Sequence, residues 1–347
     1  MLIDLKDMTQ EDLEGLMVSW GQAPYRARQV QKWLSKGITD FEQMTDVSKD
    51  FRLHLSQNAC ISRLSLQKRL ISQDGSEKFC FQLADGRAIE SVLIPEPNHQ
   101  TLCLSTQVGC AQGCRFCLTA RQGFARNLTV SEIINQILEV RALVPGSNIS
   151  NLVMMGMGEP LANFDNLVKA LTIITAPWGL NYSHRRVTVS TAGLAPLIPR
   201  LGQSVRISLA VSLNAIDNES RHRLMPINQR YPLETLLAAC RDFPLLPHRR
   251  ITFTYILLKD INDSVRQARQ LARLLRGLPA KINLIPFNPH PDLPFERPSP
   301  ETVLTFQDIL VRAHYTTMIR EGRGQDISAA CGQLAGDVSS LPAGSLN

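Results

Sequence analysis

Long hydrophobic runs are absent from this chain of 347 residues. No apolar stretch approaches the ~20 residues that a helix needs to cross a bilayer, which excludes a helical membrane protein. The first seven residues lack the basic and then apolar order of a signal peptide, so we expect a cytoplasmic protein. Internal repeats and low-complexity tracts are also absent. Hydrophobic residues make up 44% of the chain, which excludes a disordered protein.

The charge balance lies on the basic side. Lys and Arg number 37 against 31 Asp and Glu, which gives a net charge of +6. A basic chain favours a polyanionic partner such as a nucleic acid, although an ordinary mildly basic enzyme has the same balance. The chain also has eight cysteines and no export signal, so we expect metal ligands or catalytic thiols rather than a disulfide framework.

The length suggests about two domains, and the N-terminal pattern differs from the rest. Thr9 and Asp12 predict a helix start, and short strands are predicted around the Asp85-Gly86 turn. Between them, one helical segment carries the basic residues Arg26, Arg28, Lys32 and Lys36. These side chains form either a solvated face or a phosphate-binding surface. We predict that residues 1–85 form a small helical accessory domain with a short strand linker.

From residue 96 onward, strands and helices alternate. Strands are predicted at 152–155, 187–189, 205–211, 251–258, 282–285 and 316–319. Helices are predicted to begin near Asn163, Asp263 and Ser299. This alternation predicts an α/β core over residues 96–330, with an active site where the parallel strands end. The pattern alone does not choose between a full barrel, a partial barrel and an open sheet.

Three of the cysteines, Cys110, Cys114 and Cys117, lie within eight residues. Three thiolates at this spacing can hold one iron–sulfur cube and leave one iron without a protein ligand. A redox-active cluster needs such an open iron when a substrate must bind the metal. Structural zinc requires four ligands, and only Cys103 is available as a fourth. The spacing therefore favours a [4Fe-4S] cluster, with zinc as the alternative.

The CxxxCxxC spacing resembles that of the radical S-adenosylmethionine enzymes. Here it precedes a helix with the capping box Thr129-Val130-Ser131-Glu132. The resemblance implies a partial (β/α)6-type barrel, with S-adenosylmethionine bound to the open iron and cleaved to a 5′-deoxyadenosyl radical. Gly158 and Glu159, after the next strand, correspond to the motif that binds the methionyl amine. A turn with a solvated glutamate is the alternative.

Longer stretches resemble the RlmN family of adenine carbon-2 RNA methyltransferases. They are residues 101–110, 122–128, 154–161, 185–191, 281–286 and 330–336, together with 25–34 and 41–46. The resemblance implies methylation of carbon 2 of adenine in 23S ribosomal RNA and in transfer RNA. It also implies an RNA-binding role for the accessory domain, reduction by a flavodoxin or ferredoxin, and a monomeric enzyme.

The same resemblance assigns the reactive residues. Cys331, in a C-terminal segment over 331–347, is implied to accept a methyl group from one S-adenosylmethionine. A radical from a second molecule removes hydrogen from that methyl group, and the carbon radical adds to adenine. Cys103 then releases the product through a transient disulfide with Cys331. Glu90 corresponds to the family's proton acceptor, and Glu90 and Cys103 stay rival or cooperating bases.

Further cofactor contacts are also implied by the resemblance. They involve Ser190, Ser212, Leu213, Asn214 and Asn288. Asn214 stands where many relatives have histidine, and its amide retains hydrogen-bonding capacity. Cfr-type enzymes, which methylate carbon 8 of adenine, share the cluster and both reactive cysteines, so only the terminal stretches favour the RlmN family. A zinc-bearing RNA-binding protein without catalysis is the third alternative.

Overall fold

The N-terminal part of the protein is a small helical unit. A computed structural model describes residues 2–336. Its first elements are β1 (Ile3–Asp4), α1 (Gln10–Ser19), α2 (Arg26–Ser35), α3 (Lys49–Asn58) and β2 (Ala59–Cys60). The capping box predicted at Thr9 is present, since the Thr9 hydroxyl accepts a hydrogen bond from Asp12 N. The helices enclose their own apolar core, which includes Leu13, Met17, Val30, Phe51 and Leu55.

Buried polar contacts fix this helical unit against the rest of the protein. The Lys6 ammonium donates to Asn135 Oδ1 at 2.7 Å and to Ser62 O at 2.8 Å. Asp7 accepts a hydrogen bond from Ser131 N at 2.7 Å. Burial lowers the pKa of Lys6 to about 8, so this ammonium depends on its oxygen partners. The helical unit therefore has one defined position relative to the core.

The rest of the chain alternates strands and helices. In chain order these are β3 (Ser65–Ile71), β4 (Glu77–Gln82), β5 (Ala88–Glu96), β6 (His99–Cys103), β7 (Gln107–Gly109), α4 (Leu118–Arg121), β8 (Phe124–Asn127), α5 (Val130–Leu143), β9 (Ile149–Met154), α6 (Phe164–Thr175), β10 (Val187–Thr191), α7 (Leu197–Ser204), β11 (Ser208–Ser212), α8 (Asn218–Leu224), α9 (Leu233–Arg241), β12 (Ile251–Leu257), α10 (Val265–Leu274), β13 (Ala280–Pro286), α11 (Pro300–Arg312) and β14 (Thr316–Ile319). Within residues 2–336, no helix combines the length and apolarity needed to span a membrane.

One large sheet organises the core. Its strand order is β14-β13-β12-β11-β10-β9-β6-β5-β4-β3. β6 and β9 to β14 run parallel to one another, with helices in the connections. The order is linear within the described residues, so the sheet does not close into a full barrel, and the predicted α/β class is confirmed. Because parallel strands end at the same edge, the loops after β6, β9, β10 and β11 meet there.

The strands after the helical unit do more than link it to the core. β3, β4 and β5 are antiparallel and extend the main sheet, where Val92 of β5 pairs with Cys103 of β6. The predicted boundary at residue 85 falls in the turn between two of these strands. The sequence could not reveal this arrangement, because a hairpin pattern does not state which sheet edge its strands join.

Two local predictions also differ from the structure. Helix α6 begins directly after Asn163, as predicted, but the Asn163 side chain makes no capping hydrogen bond. Its side-chain amide instead donates to Thr106 O and Leu128 O, and so joins the loops after β6 and β8. The strand predicted over 205–211 begins only at Ser208, because α7 continues almost to that point. Tertiary contacts thus override the local signals at both places.

Candidate active site

The cysteine loop begins where β7 ends. Gly109 has φ +73°, and a Cβ there would lie 1.9 Å from Gly123 O, so only glycine fits. β7 pairs with β8 in a small antiparallel ribbon, and Cys110 N donates to Gly123 O at 2.8 Å. The ribbon therefore fixes the start of the loop that carries Cys110, Cys114 and Cys117.

A cavity of about 160 Å³ lies beside this loop, at the ends of the parallel strands. Most of the residues with predicted roles line its wall. They are Cys110, Cys114, Cys117, Gly158, Glu159, Ser190, Ser212 and Cys331. These residues come from the cysteine loop, from the ends of β9, β10 and β11, and from the C-terminal segment. The fold therefore brings the cysteine loop, the ends of three strands and the C-terminal segment, which are far apart in the sequence, into one cavity.

The three loop thiols lie in a desolvated setting. Burial raises the pKa of all three thiols, that of Cys110 to about 12. Loss of their protons therefore requires a strong positive charge, which iron supplies. Within residues 2–336, no three Cys, His, Asp or Glu side chains are close enough to hold one metal ion. A cluster takes each thiolate on a different iron, so this donor set fits a [4Fe-4S] cluster better than a four-ligand zinc site.

The motif after β9 is buried, unlike the solvated turn that was its alternative. Glu159 is 3% exposed, and its oxygens accept from Leu161 N at 3.0 Å and from Ala192 N at 2.6 Å. Burial raises the pKa of Glu159 to about 7, although these hydrogen bonds oppose the rise. Gly158 has φ +100°, and a Cβ there would lie 2.5 Å from Gln107 Cβ. Glycine thus lets the motif pack against β7, and the carboxylate at the wall can accept from a ligand ammonium group.

The cysteine segment, residues 328–336, closes one side of the cavity. Leu118 N donates to Gly332 O at 2.8 Å, so the segment packs on α4, directly after the cysteine loop. Cys331 is exposed as a residue, yet surrounding protein atoms and the nearby Cys117 raise the pKa of its thiol. Cys331 therefore takes part in the lining of the cavity although the residue as a whole is exposed.

Cys103 lies at the end of β6, within the main apolar core. It is 7% exposed. Burial raises the pKa of its thiol, and the neighbouring Cys331 raises it further. The two thiols therefore lie within electrostatic range of each other, although they are far apart in the sequence. This proximity follows from the fold and from no local pattern.

Glu90 holds the cysteine segment in place through an ion pair and backbone hydrogen bonds. Its carboxylate is 1% exposed and forms an ion pair with Lys78 Nζ at 3.1 Å. Its second oxygen accepts from Ala335 N at 2.8 Å and from Gly336 N at 3.2 Å. Lys78 Nζ in turn donates to Ser328 O at 3.2 Å. A buried ion pair between β4 and β5 thus holds both ends of the cysteine segment.

Removal of Lys78 is expected to loosen this segment. Lys78→Met leaves Glu90 as an unpaired buried charge, so we expect the free energy of unfolding to fall by about 3–5 kcal/mol. Hydrogen exchange should accelerate in a peptide that spans residues 328–336, because local opening becomes easier. The matched control is Arg69→Met, which breaks a partly exposed pair with Glu77 and should cost less than about 1 kcal/mol. Equal losses of stability with unchanged exchange would contradict the anchoring role.

Three predicted cofactor residues, Leu213, Asn214 and Asn288, lie outside the cavity lining. Asn214 has φ +59°, and its Oδ1 accepts from Ile256 N at 2.8 Å while its Nδ2 donates to Met225 Sδ at 3.2 Å. Its side chain is thus committed to protein atoms. Asn288 Nδ2 donates to Cys331 O at 3.3 Å, whereas its buried Oδ1 has no partner among the described residues. This oxygen packs against Gly322, where a Cβ would lie 2.0 Å from it.

Sequence reasoning missed several residues whose contacts only the fold reveals. Gln107 Oε1 accepts from Glu159 N at 2.8 Å. Arg221 Nε donates at 3.2 Å to the carbonyl of Leu213, a predicted cofactor residue that is fully buried. Thr254 lines the cavity although it belongs to no recognised motif. The rule that sites form at the ends of parallel strands points to this region, but a lone Arg or Gln carries no signal of its own.

Comparisons with known proteins agree with this geometry. The profile of the ribosomal RNA large subunit methyltransferase N-terminal domain matches residues 3–61, and that of the radical SAM superfamily matches residues 104–272. A dual-specificity RNA methyltransferase RlmN from Syntrophus aciditrophicus (strain SB) is 51% identical over 96% of this chain and 97% of its own length. The protein of that name from Geobacter sulfurreducens is 50% identical over 98% of this chain and 94% of its own.

A solved structure extends the likeness to three dimensions. The crystal structure of a radical SAM methyltransferase from Sphaerobacter thermophilus matches with a TM-score of 0.89 and 41% identity, over 96% of this chain and 100% of that chain. The fold and the three-cysteine loop at its strand ends therefore define a radical S-adenosylmethionine enzyme. Within this class, the match of the helical N-terminal unit and the sequence identity over nearly the whole chain point to one family. The chain belongs to the RlmN family.

Proposed function

We propose that this protein methylates carbon 2 of adenine in 23S ribosomal RNA and in transfer RNA. The reaction passes through an S-methylated Cys331 and uses two molecules of S-adenosylmethionine. The observation that carries the proposal is the single cavity shared by Cys110, Cys114, Cys117, Glu159 and Cys331. The name of the relatives, dual-specificity RNA methyltransferase, supports RNA as the substrate.

Different cavity residues would bind the cluster and S-adenosylmethionine. Cys110, Cys114 and Cys117 would hold the cluster, and Glu159 would accept from the amino group of S-adenosylmethionine. Ser190 and Ser212 line the same cavity and offer hydroxyl groups. The cluster and S-adenosylmethionine, when bound, supply a 5′-deoxyadenosyl radical. The protein's own part is to hold the reacting sulfur beside them and to exclude water.

Cys331 carries the carbon that reaches the RNA. Its thiol loses a proton and takes a methyl group from the first S-adenosylmethionine, and a hydrogen atom is then removed from that methyl group. The methylene radical adds to carbon 2 of adenine. Loss of one electron to the redox system and of the proton on carbon 2 restores the aromatic ring. Carbon 2 is electron-poor and does not attack a sulfonium methyl directly, which is why the route needs a radical.

Cys103 resolves the thioether that joins enzyme and RNA. The bond between the Cys331 sulfur and the methylene carbon breaks as a disulfide forms between the two cysteines, and the Cys103 proton completes the methyl group. A thioether and a thiol thus become a disulfide and a methyl group, so atoms and electrons balance. An external reductant restores both thiols. The raised pKa of Cys103 keeps its proton in place until this step.

Charge favours Glu90 as the acceptor of the carbon-2 proton. Glu90 is paired with Lys78 and therefore carries a negative charge, whereas the raised pKa of Cys103 keeps that thiol neutral. Both residues lie on one face of the sheet, because Glu90 is two residues from Val92, the cross-strand partner of Cys103. A base must come within hydrogen-bond reach of the proton that it removes. Movement of the cysteine segment would free the second Glu90 oxygen for this role.

Nucleoside analysis tests the position of methylation. The anaerobically reconstituted protein would be incubated with 23S ribosomal RNA and, separately, with transfer RNA, and the digested products compared with standards by mass spectrometry. We expect 2-methyladenosine from both RNA classes. The match of residues 3–61 to the ribosomal RNA methyltransferase N-terminal domain favours this outcome over Cfr-type chemistry. A product containing 8-methyladenosine would overturn the proposal.

Three basic residues of the N-terminal unit offer an RNA-binding face. Arg28 and Lys32 of α2 and Lys36, directly after its end, are exposed and lie four residues apart, so they share one face. Arg26 is only half-exposed, and its guanidinium carbon lies 5.2 Å from the centroid of the Phe51 ring. Arg28 and Lys36 also lie over rings, those of Trp178 and Trp33, but stay exposed. We assign the phosphate contacts to the face formed by Arg28, Lys32 and Lys36 and exclude Arg26 from it.

Charge reversal of this face should weaken RNA binding. We expect the triple variant Arg28→Glu, Lys32→Glu and Lys36→Glu to lose about tenfold or more in affinity. The slope of the logarithm of affinity against the logarithm of salt concentration should become shallower by about 2–3, since each lost phosphate contact removes released counterions. Filter binding or fluorescence anisotropy over a salt series measures both quantities.

A matched control separates the effect of the proposed face on RNA binding from the effect of net charge. Arg266, Arg269 and Arg273 form an exposed basic face on α10, and their reversal to Glu changes the net charge equally. We expect this control to bind RNA with nearly unchanged affinity at moderate salt. If both triple variants lose affinity alike, the assignment of the footprint to α2 is wrong.

The remaining parts of the proposal concern organisation and partners. We propose that the helical unit within the predicted accessory domain of residues 1–85 is the RNA-binding part, that β3 to β5 belong with the radical core predicted over 96–330, and that a C-terminal segment over 331–347 delivers Cys331. Residues 337–347 of that segment lie outside the described residues. Electrons would come from a reduced flavodoxin or ferredoxin. The protein would act as a monomer in the cytoplasm.

A further inference from the structure

Arg221, on α8, is a fully buried cation without an anionic partner. Its exposure is 0%, and it forms no ion pair with a carboxylate within residues 2–336. All of its hydrogen bonds go to neutral oxygens, namely Ala192 O at 2.6 Å, Asn228 Oδ1 at 3.1 Å, and Ser212 O and Leu213 O at 3.2 Å each. An unpaired buried charge is costly, so we expect an anion to complete the site.

The guanidinium of Arg221 lies directly behind the lining of the cavity. Ala192 and Ser212, whose carbonyl oxygens accept hydrogen bonds from Arg221 Nη2, both line the cavity, as does Met225, the residue directly after α8. Cys114 lines the same cavity. The positive charge is therefore placed next to the space that the cysteine loop borders.

The surrounding backbone holds the guanidinium in this place. Gly193 has φ +114°, and a Cβ there would lie 3.1 Å from Arg221 Nη2, so glycine leaves room for the side chain. One turn further along α8, Leu224 O accepts a hydrogen bond from Arg115 N at 3.0 Å. Arg115 directly follows Cys114 in the cysteine loop. The helix that carries Arg221 is thus bonded to the loop that carries the cluster ligands.

We propose that Arg221 is the fixed counter-charge of the iron–sulfur site. The inference rests on the proposed cluster at Cys110, Cys114 and Cys117, whose three thiolates give it a net negative charge. Reduction adds a further negative charge, so a nearby cation stabilises the reduced form more than the oxidised form. Arg221 also acts as a positioning residue, because the residue that receives its shortest hydrogen bond, Ala192, donates its own N–H to Glu159.

The midpoint potential of the cluster tests whether the charge of Arg221 stabilises the reduced form. We expect Arg221→Met to shift the potential to more negative values, since the reduced cluster loses its counter-charge. Arg221→Lys keeps the charge and should shift the potential much less. The control is Arg223→Met, an exposed residue of the same helix, which should leave the potential at the wild-type value. Redox titration followed by electron paramagnetic resonance gives all four potentials.

Two outcomes of the titration overturn the inference. The first is an Arg221→Met protein that binds the cluster with the wild-type potential. The second is an equal shift in the methionine and lysine variants, because a structural role would not distinguish charge from shape. A wild-type protein that binds no cluster would instead refute the proposed function. The two failures are therefore distinguishable.

Protein stability provides a second test that needs no turnover. Thermal unfolding of Arg221→Met and wild type would be compared in the cluster-bound protein and in a protein with Cys110, Cys114 and Cys117 all replaced by Ala. We expect the substitution to cost more stability when the cluster is bound, since only then does the cation have a partner. Equal costs in both backgrounds would overturn the proposal. If the methionine variant does not fold, Arg221→Gln keeps hydrogen-bond donors for the same comparison.

Discussion

Cys103→Ala is expected to accumulate a covalent complex between protein and RNA. The variant still has Cys331 in the cavity, so it accepts the methyl group and forms the bond to adenine. It then lacks the thiol that must donate a proton and close the disulfide. The complex should appear as a slow band on a denaturing gel after an oxygen-free reaction, and ribonuclease should remove it. Wild type should show this band only faintly, because the intermediate is resolved.

Cys331→Ala should stop the reaction before the cross-link to RNA forms. Without the sulfur that carries the methyl group, mass spectrometry should find no methylated protein and the gel should show no cross-link. Cys240→Ala is the matched control, since Cys240 is buried outside the cavity lining and should allow normal turnover. Normal turnover by Cys103→Ala, or a cross-link in Cys331→Ala, would reverse the roles assigned to these residues.

Replacing any one of Cys110, Cys114 and Cys117 by Ala is expected to abolish cleavage of S-adenosylmethionine. The wild-type protein, purified without oxygen, should be brown and contain about four irons and four sulfides. Each variant should lose most of this iron, because a cube with two protein ligands is poorly held. Formation of 5′-deoxyadenosine, measured by chromatography after reduction with dithionite, should fall below detection.

A cysteine outside the loop controls for general effects of thiol removal. Cys60 ends β2, far along the chain from the cysteine loop, and Cys60→Ala should retain iron and cleavage activity. A colourless wild-type protein with one zinc per chain would contradict the cluster assignment. Full cleavage activity in any of the three loop variants would show that the altered cysteine is not a ligand.

The sequence predicted the parts of the site that rest on spacing within one segment. The interval from Cys110 to Cys117 predicts the cluster loop directly. Gly158-Glu159 is likewise recognisable after an apolar strand, and its burial against Ala192 agrees with a binding role. Strand–helix alternation predicted the α/β class because each strand needs a covering helix.

Other features depend on contacts between residues that are distant in sequence. The ion pair of Lys78 with Glu90 joins two strands and reaches the cysteine segment, and no local pattern contains that information. Arg221 looks like a surface residue in a charged stretch, and only its 0% exposure separates it from its neighbours. The extension of the main sheet by β3, β4 and β5 follows from the pairing of β5 with β6. Such pairings are decided by the energy of the whole fold.

The fate of the hydrogen atoms in the transferred methyl group tests the central claim most directly. In the cysteine route, a methyl group passes to Cys331, loses one hydrogen to the radical and regains one from a thiol. With S-adenosylmethionine that carries a fully deuterated methyl group, we predict that later turnovers give 2-methyladenosine with two deuterium atoms in its methyl group. The matching 5′-deoxyadenosine should contain one deuterium atom. A product methyl group with all three deuterium atoms, beside unlabelled 5′-deoxyadenosine, would contradict the account.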